Sequence, residues 1–294
     1  MDNKERTTDR IYGDRIFFNF VEVSAEKLPE SGDLIRKIKN NEIQGFLVKE
    51  FFTAHEVSDI LKAIEKPVEE AAMDTSTGKM FPAPFAIITD SGERLDAFYK
   101  SLQYFDNLME RQPAVKNVKN KIDAFFKSVG KDFNVSVPVN KIKNLPVSAG
   151  CFRMFLPNMG GLFVHCGNLF QRQSEYYYSL LSNDIDMNDQ LSFFWVLQNA
   201  ETGGELTIYD MLWKDVKRKS SSEENESVID DSGKTVYLKD ISSFTVKPMP
   251  GDILVFSGGP IWHRVENIKG NTTRITYGGF VNFSKDGKEI FYWS

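Results

Sequence analysis

The chain has 294 residues, of which 41% are hydrophobic, 26% charged and 13% aromatic. This composition excludes a disordered chain and supplies enough apolar side chains for a sizeable core. The 36 Lys and Arg residues and 41 Asp and Glu residues give a net charge of −5, without a long basic run. We therefore expect no nucleic acid partner.

No targeting or membrane segment is evident in the sequence. The first residues, Met1 to Arg6, are charged and lead into no apolar stretch, and nowhere do about 18 apolar residues follow one another. Two cysteines, Cys151 and Cys166, are too few for a disulfide framework or a thiolate metal site. We expect a cytoplasmic protein without membrane contact.

Roughly the first 134 residues are predicted to be mainly helical. Thr53 and Glu56 form a capping box before apolar residues at helical spacing, which predicts a helix from Thr53 onwards. Two more helices are predicted over Arg94–Met109 and Val115–Val129. Their charged faces suggest surface helices that lie on something flat.

From about residue 135 the apolar pattern changes to a period of two. The predicted strands are Cys151–Leu156, Leu162–Cys166, Leu191–Leu197, Glu205–Leu212, Phe244–Val246, Asp252–Phe256, Ile261–Val265 and Ile275–Phe283. They predict a jelly roll (double-stranded β-helix) of the cupin type. We expect an α+β, mostly β, single domain over residues 1–294, with the jelly roll at about 135–294.

One segment interrupts the predicted strands. Lys214–Lys219 is mostly basic, and Ser220–Ser232 is Ser-rich and acidic, which is typical of a solvated, mobile excursion. Two interpretations stay open: a surface loop without function, or a lid over an active site.

The three histidines differ in context. His55 lies in the first turn of a predicted helix, without partners at helical spacing, and is interpreted as structural. His165 and His263 lie in predicted strands 98 residues apart, where they could converge across a barrel. A strand histidine is by itself more often a hydrogen-bonded core residue than a metal ligand.

An arginine after His263 favours the metal interpretation. Arg274 and Thr276 share one face of the last long strand, and a guanidinium with a hydroxyl can clamp a carboxylate. The order of His, about a hundred residues, His, and then Arg fits non-haem iron oxygenases that use 2-oxoglutarate. We therefore predict Fe(II), 2-oxoglutarate and O2 as cofactors.

The usual third iron ligand is missing. It would be a carboxylate two residues after the first histidine, and that position holds Gly167. Either two histidines and a water hold the iron, or an anion such as chloride takes the place that the glycine leaves. The second arrangement is that of the iron and 2-oxoglutarate halogenases.

Further motifs resemble one family. They are Val164–Asn168, Asp189–Phe194, Gly203–Leu206 with Tyr209 and Trp213, Gly251–Leu254, His263–Val265, Gly278–Phe280, Phe283–Asp286 and Tyr292–Ser294. This set resembles the carrier-protein-independent halogenases of cyanobacterial hapalindole-type alkaloid pathways, closely from Arg153 to the C-terminus and more loosely before it.

The resemblance implies a role for individual residues. They are His165 and His263 as iron ligands, Gly167 as the halide position, Arg274 with Thr276 as the 2-oxoglutarate anchor, Ser192 as a hydroxyl that helps place the reacting oxygen, and Arg153 as a cofactor-binding residue. The segment from Arg153 to His165 is one residue longer here than in the family. Chloride or bromide is implied as a further cofactor.

The substrate region departs from the family. Gly78–Phe85, with Met80 and Phe81, and the pair Leu162 and Phe163 correspond to pocket-lining regions but are bulkier and richer in proline. An indole alkaloid substrate is therefore not predicted.

The sequence as a whole predicts a halogenase that chlorinates an unactivated aliphatic carbon of a small molecule without a carrier protein, releasing succinate and CO2. A hydroxylase or other oxygenase on the same scaffold, with water in place of chloride, is the nearest alternative. A non-catalytic cupin-like binding module is the other, although it would have no use for a keto-acid clamp.

Overall fold

The computed structural model describes residues 18–85, 92–173, 175–181, 184–219, 227–230 and 232–294. The elements in chain order are β1 (Phe20–Ser24), α1 (Leu34–Lys39), β2 (Gly45–Lys49), α2 (Ala54–Ala71), β3 (Met73–Thr75), β4 (Gly78–Phe81), α3 (Gly92–Arg111), α4 (Pro113–Val129), β5 (Asn134–Ser136), β6 (Val139–Asn140), β7 (Leu145–Pro146), β8 (Cys151–Phe155), β9 (Gly160–His165), α5 (Gly167–Gln173), α6 (Glu175–Ser179), β10 (Leu191–Gln198), β11 (Leu206–Leu212), β12 (Val216–Lys219), β13 (Ser227–Asp230), β14 (Thr235–Tyr237), β15 (Ser243–Val246), β16 (Ile253–Phe256), β17 (Ile261–Ile268), β18 (Arg274–Phe283) and β19 (Glu289–Trp293).

Eight of these strands form a jelly roll of two facing antiparallel sheets. One sheet has the order β8, β18, β10, β16, and the other has the order β9, β17, β11, β15. Each of the eight corresponds to one of the predicted strands, because short apolar runs between turn residues are typical of such walls. The predicted jelly-roll fold is confirmed.

The first sheet continues beyond the jelly roll. Strands β2 and β1 extend it past β16, β4 and β3 extend it past β8, and β19 with β5 joins at β18. The N-terminal part therefore contains four strands besides its helices, which the sequence analysis did not predict. In β2, for example, Phe46, Leu47 and Val48 are all buried, so the alternation that marks a half-exposed strand is absent.

Helices α2, α3 and α4 start and end near the predicted positions and cover the outer face of the large sheet. Helix α2 begins with the predicted capping box, in which Thr53 and Glu56 exchange hydrogen bonds. The ring of Phe126 in α4 packs 5.0 Å from that of Phe193 in β10. Phe52 stacks on Trp195 of the same strand at 3.6 Å.

Strand β10 therefore alternates between two environments. Phe193 and Trp195 face the helices, whereas Ser192 and Phe194, one residue out of step, face the inside of the jelly roll. The same alternation decides which side chains of β8, β16 and β18 reach the interior. No described helix has the length and the apolar character that a membrane crossing requires.

The segment predicted as a solvated excursion is partly packed. Strands β12, β13 and β14 form a small antiparallel sheet, and Val216, Val228 and Leu238 in this region are buried near Trp262 of β17. Residues 220–226 and 231 lie outside the described residues, so the choice between a surface loop and a lid stays a prediction.

Candidate active site

The two strand histidines meet inside the jelly roll. His165 ends β9 and His263 lies on β17, and the two are direct cross-strand partners with ring centroids 4.3 Å apart. Each residue is about 5% exposed. The structure thus brings together the two imidazoles that the sequence proposed as ligands.

The backbone fixes the orientation of both rings. Nδ1 of His165 lies 2.7 Å from the Phe163 carbonyl oxygen, and Nδ1 of His263 lies 2.8 Å from that of Ile261. A donating Nδ1–H in each ring places the lone pair on Nε2, the arrangement that metal-ligating histidines use. Burial lowers the pKa of His263 to about 4, against a smaller opposite effect of the Ile261 carbonyl. This imidazole is therefore neutral at pH 7, as metal binding requires.

Aromatic rings surround the histidine pair. Phe170 lies 4.8 Å from the His165 ring and Phe256 lies 4.9 Å from the His263 ring, between centroids. Such walls limit water around the imidazoles. His55, in contrast, is on the surface of α2, where its Nδ1 lies 3.0 Å from Asp59 and its side chain is 86% exposed. The structure separates it from the pair.

A buried cation lies on the inner face of β18. Arg274 and Thr276, two residues apart, are 3% and 2% exposed. The guanidinium carbon of Arg274 lies 5.4 Å from the centre of the Phe194 ring, and Nε has no hydrogen-bond partner among the described residues. Burial and the nearby Arg153 charge lower the pKa of Arg274 to about 10, so the group stays cationic at neutral pH.

Space around Arg274 depends on a glycine. Gly204 has a φ of +77°, and a Cβ there would come within 2.6 Å of the Arg274 Cδ. Glu205 opposes the lowering of the Arg274 pKa, but its carboxylate is paired with Lys247 at 3.0 Å. The positive charge of a buried guanidinium that has no carboxylate of its own is suited to an anionic ligand.

Arg153 adds a second cation. It lies on β8 directly opposite Thr276, and its guanidinium carbon is 5.8 Å from the Phe280 ring centre. Its Nε also lacks a partner among the residues described. Two neighbouring guanidiniums favour a ligand with more than one negative charge, as in a keto dicarboxylate.

Gly167 is not part of the strand that holds His165. Strand β9 ends at His165 and α5 begins at Gly167, so the period-two argument from the sequence does not apply there. The Gly167 N–H donates to the Gly258 carbonyl at 2.7 Å. A Cβ on Gly167 would lie 2.6 Å from Nε2 of Gln190 and 3.0 Å from Cα of Gly259, which leaves no room for a carboxylate side chain without movement.

Ser192 reaches the same turn. It faces the jelly-roll interior, and a side chain at Gly258 would overlap its hydroxyl oxygen. Because the Gly258 carbonyl accepts from Gly167, Ser192 and Gly167 lie on either side of one tight turn. The register also pairs Ser192 with Phe256, whose ring contacts His263.

The four predicted pocket residues lie in different environments. Met80 is paired with Arg153 and shares its face of the sheet. Phe81 points the other way, is fully buried and packs on Phe105 of α3, so its assignment to the pocket needs correction. Phe163 is 52% exposed beside the His165 ring, at 6.2 Å, and Leu162 pairs across a register shift with Val265, which shares the face of β17 that carries His263.

The described part of the chain brings no third metal ligand to the histidines. Among the residues that the structure describes, no three His, Cys, Asp or Glu side chains converge on one point. Burial raises the pKa of Cys166 to about 12, so this neighbour of His165 remains a thiol. Two buried imidazoles with an adjacent glycine fit an iron site open to an exogenous ligand, and Arg274 with Thr276 fits a 2-oxoglutarate carboxylate.

Sequence reasoning missed Gln190. This residue precedes β10, is 1% exposed, and both its amide atoms lack hydrogen-bond partners among the described residues. It lies 23 positions from Gly167, and although both residues belong to motifs of the family pattern, the sequence does not show that they touch, so the contact is visible only in the fold.

The chain is similar to known proteins in sequence pattern and in fold. A family model described as "Carrier-protein-independent halogenase WelO5" matches residues 17–294. An N-substituted L-amino acid dioxygenase from Burkholderia ambifaria AMMD, solved in complex with alpha-KG, is 15% identical, with a TM-score of 0.50 over 87% of this chain and 89% of that chain. The non-heme alpha-ketoglutarate-dependent carbocyclase SnoK from nogalamycin biosynthesis is 11% identical, with a TM-score of 0.49 over 89% and 88%. The similarity to the dioxygenase shows a shared fold. No curated protein sequence matches significantly.

Proposed function

The chain belongs to the carrier-protein-independent halogenase family, and on that basis we propose that it is an Fe(II)- and 2-oxoglutarate-dependent halogenase. Its reaction is the chlorination of an unactivated aliphatic carbon of a freestanding small molecule, with O2 consumed and succinate and CO2 released. The observation that supports this most is the buried pair His165 and His263 next to Gly167, where the related oxygenases have a carboxylate.

His165 and His263 hold the iron through Nε2, because each Nδ1 is directed to its own strand. Bound iron, with 2-oxoglutarate and dioxygen, supplies an oxidant that takes a hydrogen atom from an aliphatic carbon and a halogen that replaces it. The aromatic rings of Phe170 and Phe256 exclude water from the imidazoles.

Arg274 and Thr276 bind the carboxylate of 2-oxoglutarate that lies far from the metal. The guanidinium offers a bidentate fork, and its low exposure makes the interaction strong because little water competes. Arg153 supplies the second positive charge, through which the site favours a dianion.

Ser192 and the Gly258 turn position the reacting groups. The choice between halogen and oxygen transfer depends on where the C–H bond lies, and a displacement of about 1 Å is enough to change a rate greatly. Met80, Leu162 and Phe163, on the edges of the site, are the described residues that we assign to substrate contact.

A hydroxylase is the second candidate, because the amide of Gln190 next to Gly167 could hold a water as well as a halide. A non-catalytic binding module is disfavoured by the buried guanidinium of Arg274 and the half-buried one of Arg153, whose Nε atoms lack partners among the described residues and have no evident purpose without an anionic cosubstrate.

The test is an anaerobic incubation of the purified protein with Fe(II), 2-oxoglutarate and chloride, followed by oxygen and a metabolite extract. We expect new compounds with a chlorine isotope pattern, formed together with succinate and replaced by brominated compounds in bromide. Products that gain only oxygen and ignore the halide would identify a hydroxylase. An absence of 2-oxoglutarate turnover with every extract would support the binding module.

A further inference from the structure

The side chain of Gln190 fills the space that a metal-binding carboxylate at residue 167 would need. Its Nε2 lies 2.6 Å and its Cγ 3.0 Å from the position of a Cβ on Gly167. In oxygenases with a carboxylate ligand at this position, the side chain extends from its Cβ towards the metal. The carboxamide of Gln190 is therefore directed at the region beside the third coordination position.

Backbone hydrogen bonds hold the two residues together. The Gly259 N–H donates to the Gln190 carbonyl at 2.6 Å, and the Gly167 N–H donates to the Gly258 carbonyl at 2.7 Å. A Cβ on Gly259 would lie 2.6 Å from the backbone nitrogen of Gln190, so the close approach requires glycine. The amide is consequently placed by a rigid turn rather than by a mobile loop.

The Gln190 amide has unmet hydrogen-bonding capacity. It is 1% exposed, and neither Nε2 nor Oε1 has a hydrogen bond of good geometry among the described residues. The Tyr178 hydroxyl is close enough for hydrogen bonding from the Gln190 amide to lower the pKa of the phenol, against burial, which raises it to about 12. An N–H shared with Tyr178 leaves the second N–H and Oε1 of the amide, and buried amides are nearly always hydrogen-bonded in folded proteins, so a ligand can supply the remaining partner.

We propose that Gln190 is a halide-binding residue, whose Nε2–H donates to the chloride held next to Gly167. An amide with two N–H groups suits an anion without directional lone pairs, and the cation of Arg153 adds a favourable field. This proposal rests on the proposed halogenase function and adds a specificity-determining residue to it.

The test is an anaerobic chloride titration of the Fe(II)–2-oxoglutarate complex, followed by its visible absorption. We expect Gln190→Leu to weaken chloride binding about tenfold to hundredfold, the ratio expected for a lost hydrogen bond to a charged group, with iron and 2-oxoglutarate affinities unchanged. Gln190→Glu, similar in size, should weaken it further because its carboxylate repels the anion. Gln198→Leu is the matched control, because that amide, at the other end of β10, donates to the Thr273 carbonyl.

Each outcome has a distinct meaning. A chloride midpoint of Gln190→Leu within twofold of the parent would overturn the proposal, as would equal losses of iron, 2-oxoglutarate and chloride affinity, which indicate a structural role. If Gln190→Leu fails to fold, a Gln190→Glu variant that binds chloride like the parent would equally overturn it. A parent protein whose absorption ignores chloride would instead contradict the halogenase function itself.

Discussion

The imidazoles of His165 and His263 are each fixed by a carbonyl of their own strand, at 2.7 Å and 2.8 Å from Nδ1. Because Nε2 is then the ligand atom in both, we expect His165→Ala and His263→Ala to lose iron binding in titrations with 2-oxoglutarate present. His55→Ala is the control, since this residue is 86% exposed on the surface of α2 beside Asp59. Unchanged iron affinity in either strand variant would contradict the assigned metal site.

A buried guanidinium that recognises a carboxylate should be hard to replace. We expect Arg274→Ala to weaken 2-oxoglutarate binding by about 2–5 kcal/mol, or about 30-fold to several thousandfold, measured by isothermal titration calorimetry. Arg274→Lys should also be impaired because an ammonium cannot form the bidentate fork. Arg264→Ala is the control, because Arg264 is paired with Glu266 at 2.7 Å. Parent-like affinity in Arg274→Ala would mean that other residues hold the carboxylate.

The glycine at position 167 should separate halogenation from hydroxylation. We expect Gly167→Asp to bind iron, to lose chlorination and to give hydroxylated product in any remaining turnover, measured by mass spectrometry. The carboxylate supplies the missing ligand and puts negative charge in the halide space, although the Gln190 side chain must move to admit it. Gly167→Ala adds bulk without charge, so partial chlorination should survive. A Gly167→Asp enzyme that chlorinates like the parent at equal chloride would place the halide elsewhere.

At the scale of elements, the capping residues in the first turn of α2 contribute to the stability of the fold. Thr53 caps the helix, and we expect Thr53→Ala to lower the free energy of unfolding by about 1 kcal/mol in chemical denaturation. Ser58→Ala, on an exposed position of the same helix, is the matched control and should change stability little. A Thr53→Ala protein as stable as the Ser58→Ala protein would show that the cap contributes nothing.

The same turn should make stability depend on pH. Burial alone would raise the pKa of Glu56, but hydrogen bonds from Lys121 and Thr53 and the Lys121 charge outweigh it, so the pKa lies below its usual value of 4.5. A carboxyl group with a lowered folded-state pKa stabilises the fold above its unfolded pKa, and this contribution is lost as the pH falls. We expect the stability difference between the parent and Glu56→Gln to shrink below about pH 4.5. A constant difference from pH 7 to pH 3 would contradict this.

The elements show what a sequence can and cannot predict. The eight jelly-roll strands and the three long helices follow from local periodicity, because each has one face in a core and punctuating residues at its ends. Strand β2 was not predicted, because its residues Phe46 to Val48 are all buried and do not alternate between apolar and polar side chains. The end of β9 at His165 was also not predicted. The backbone N–H groups of Gly167 and Asn168, at the start of α5, donate to the carbonyls of Gly258 and Gly259, and these partners are about 90 residues away in the sequence.

At the scale of the molecule, the jelly roll places its chemistry between two sheets, and the long helices α2, α3 and α4 cover the outer face of the large one. The histidines lie on the small sheet, and Arg153, Ser192 and Arg274 lie on the large one. Spacing in the sequence predicted the histidines and Arg274 because each has a motif. It could not predict Gln190, which meets the site only through the packing of a turn against the start of β10.

The large sheet keeps the Arg274 cation buried near the half-buried cation of Arg153, and this should lower the stability of the fold when no anion is bound. Arg274 is 3% exposed, and the nearby positive charge of Arg153 lowers its pKa. The carboxylate of Glu205 does little to compensate, because it is already paired with Lys247. We expect Arg274→Met, which fills the space without charge, to be at least as stable as the parent without ligand, measured by urea denaturation.

Bound 2-oxoglutarate should make the parent more stable than Arg274→Met. 2-Oxoglutarate binds only the folded parent, so at a concentration of 100 times its Kd it should stabilise the parent by about 2.7 kcal/mol. Arg274→Met should gain almost nothing, because the group that binds the carboxylate is gone. The two stability curves therefore cross as the 2-oxoglutarate concentration rises. If Arg274→Met were much less stable without ligand and gained as much as the parent with it, Arg274 would have a structural role, and its burial would need an anionic partner from the protein.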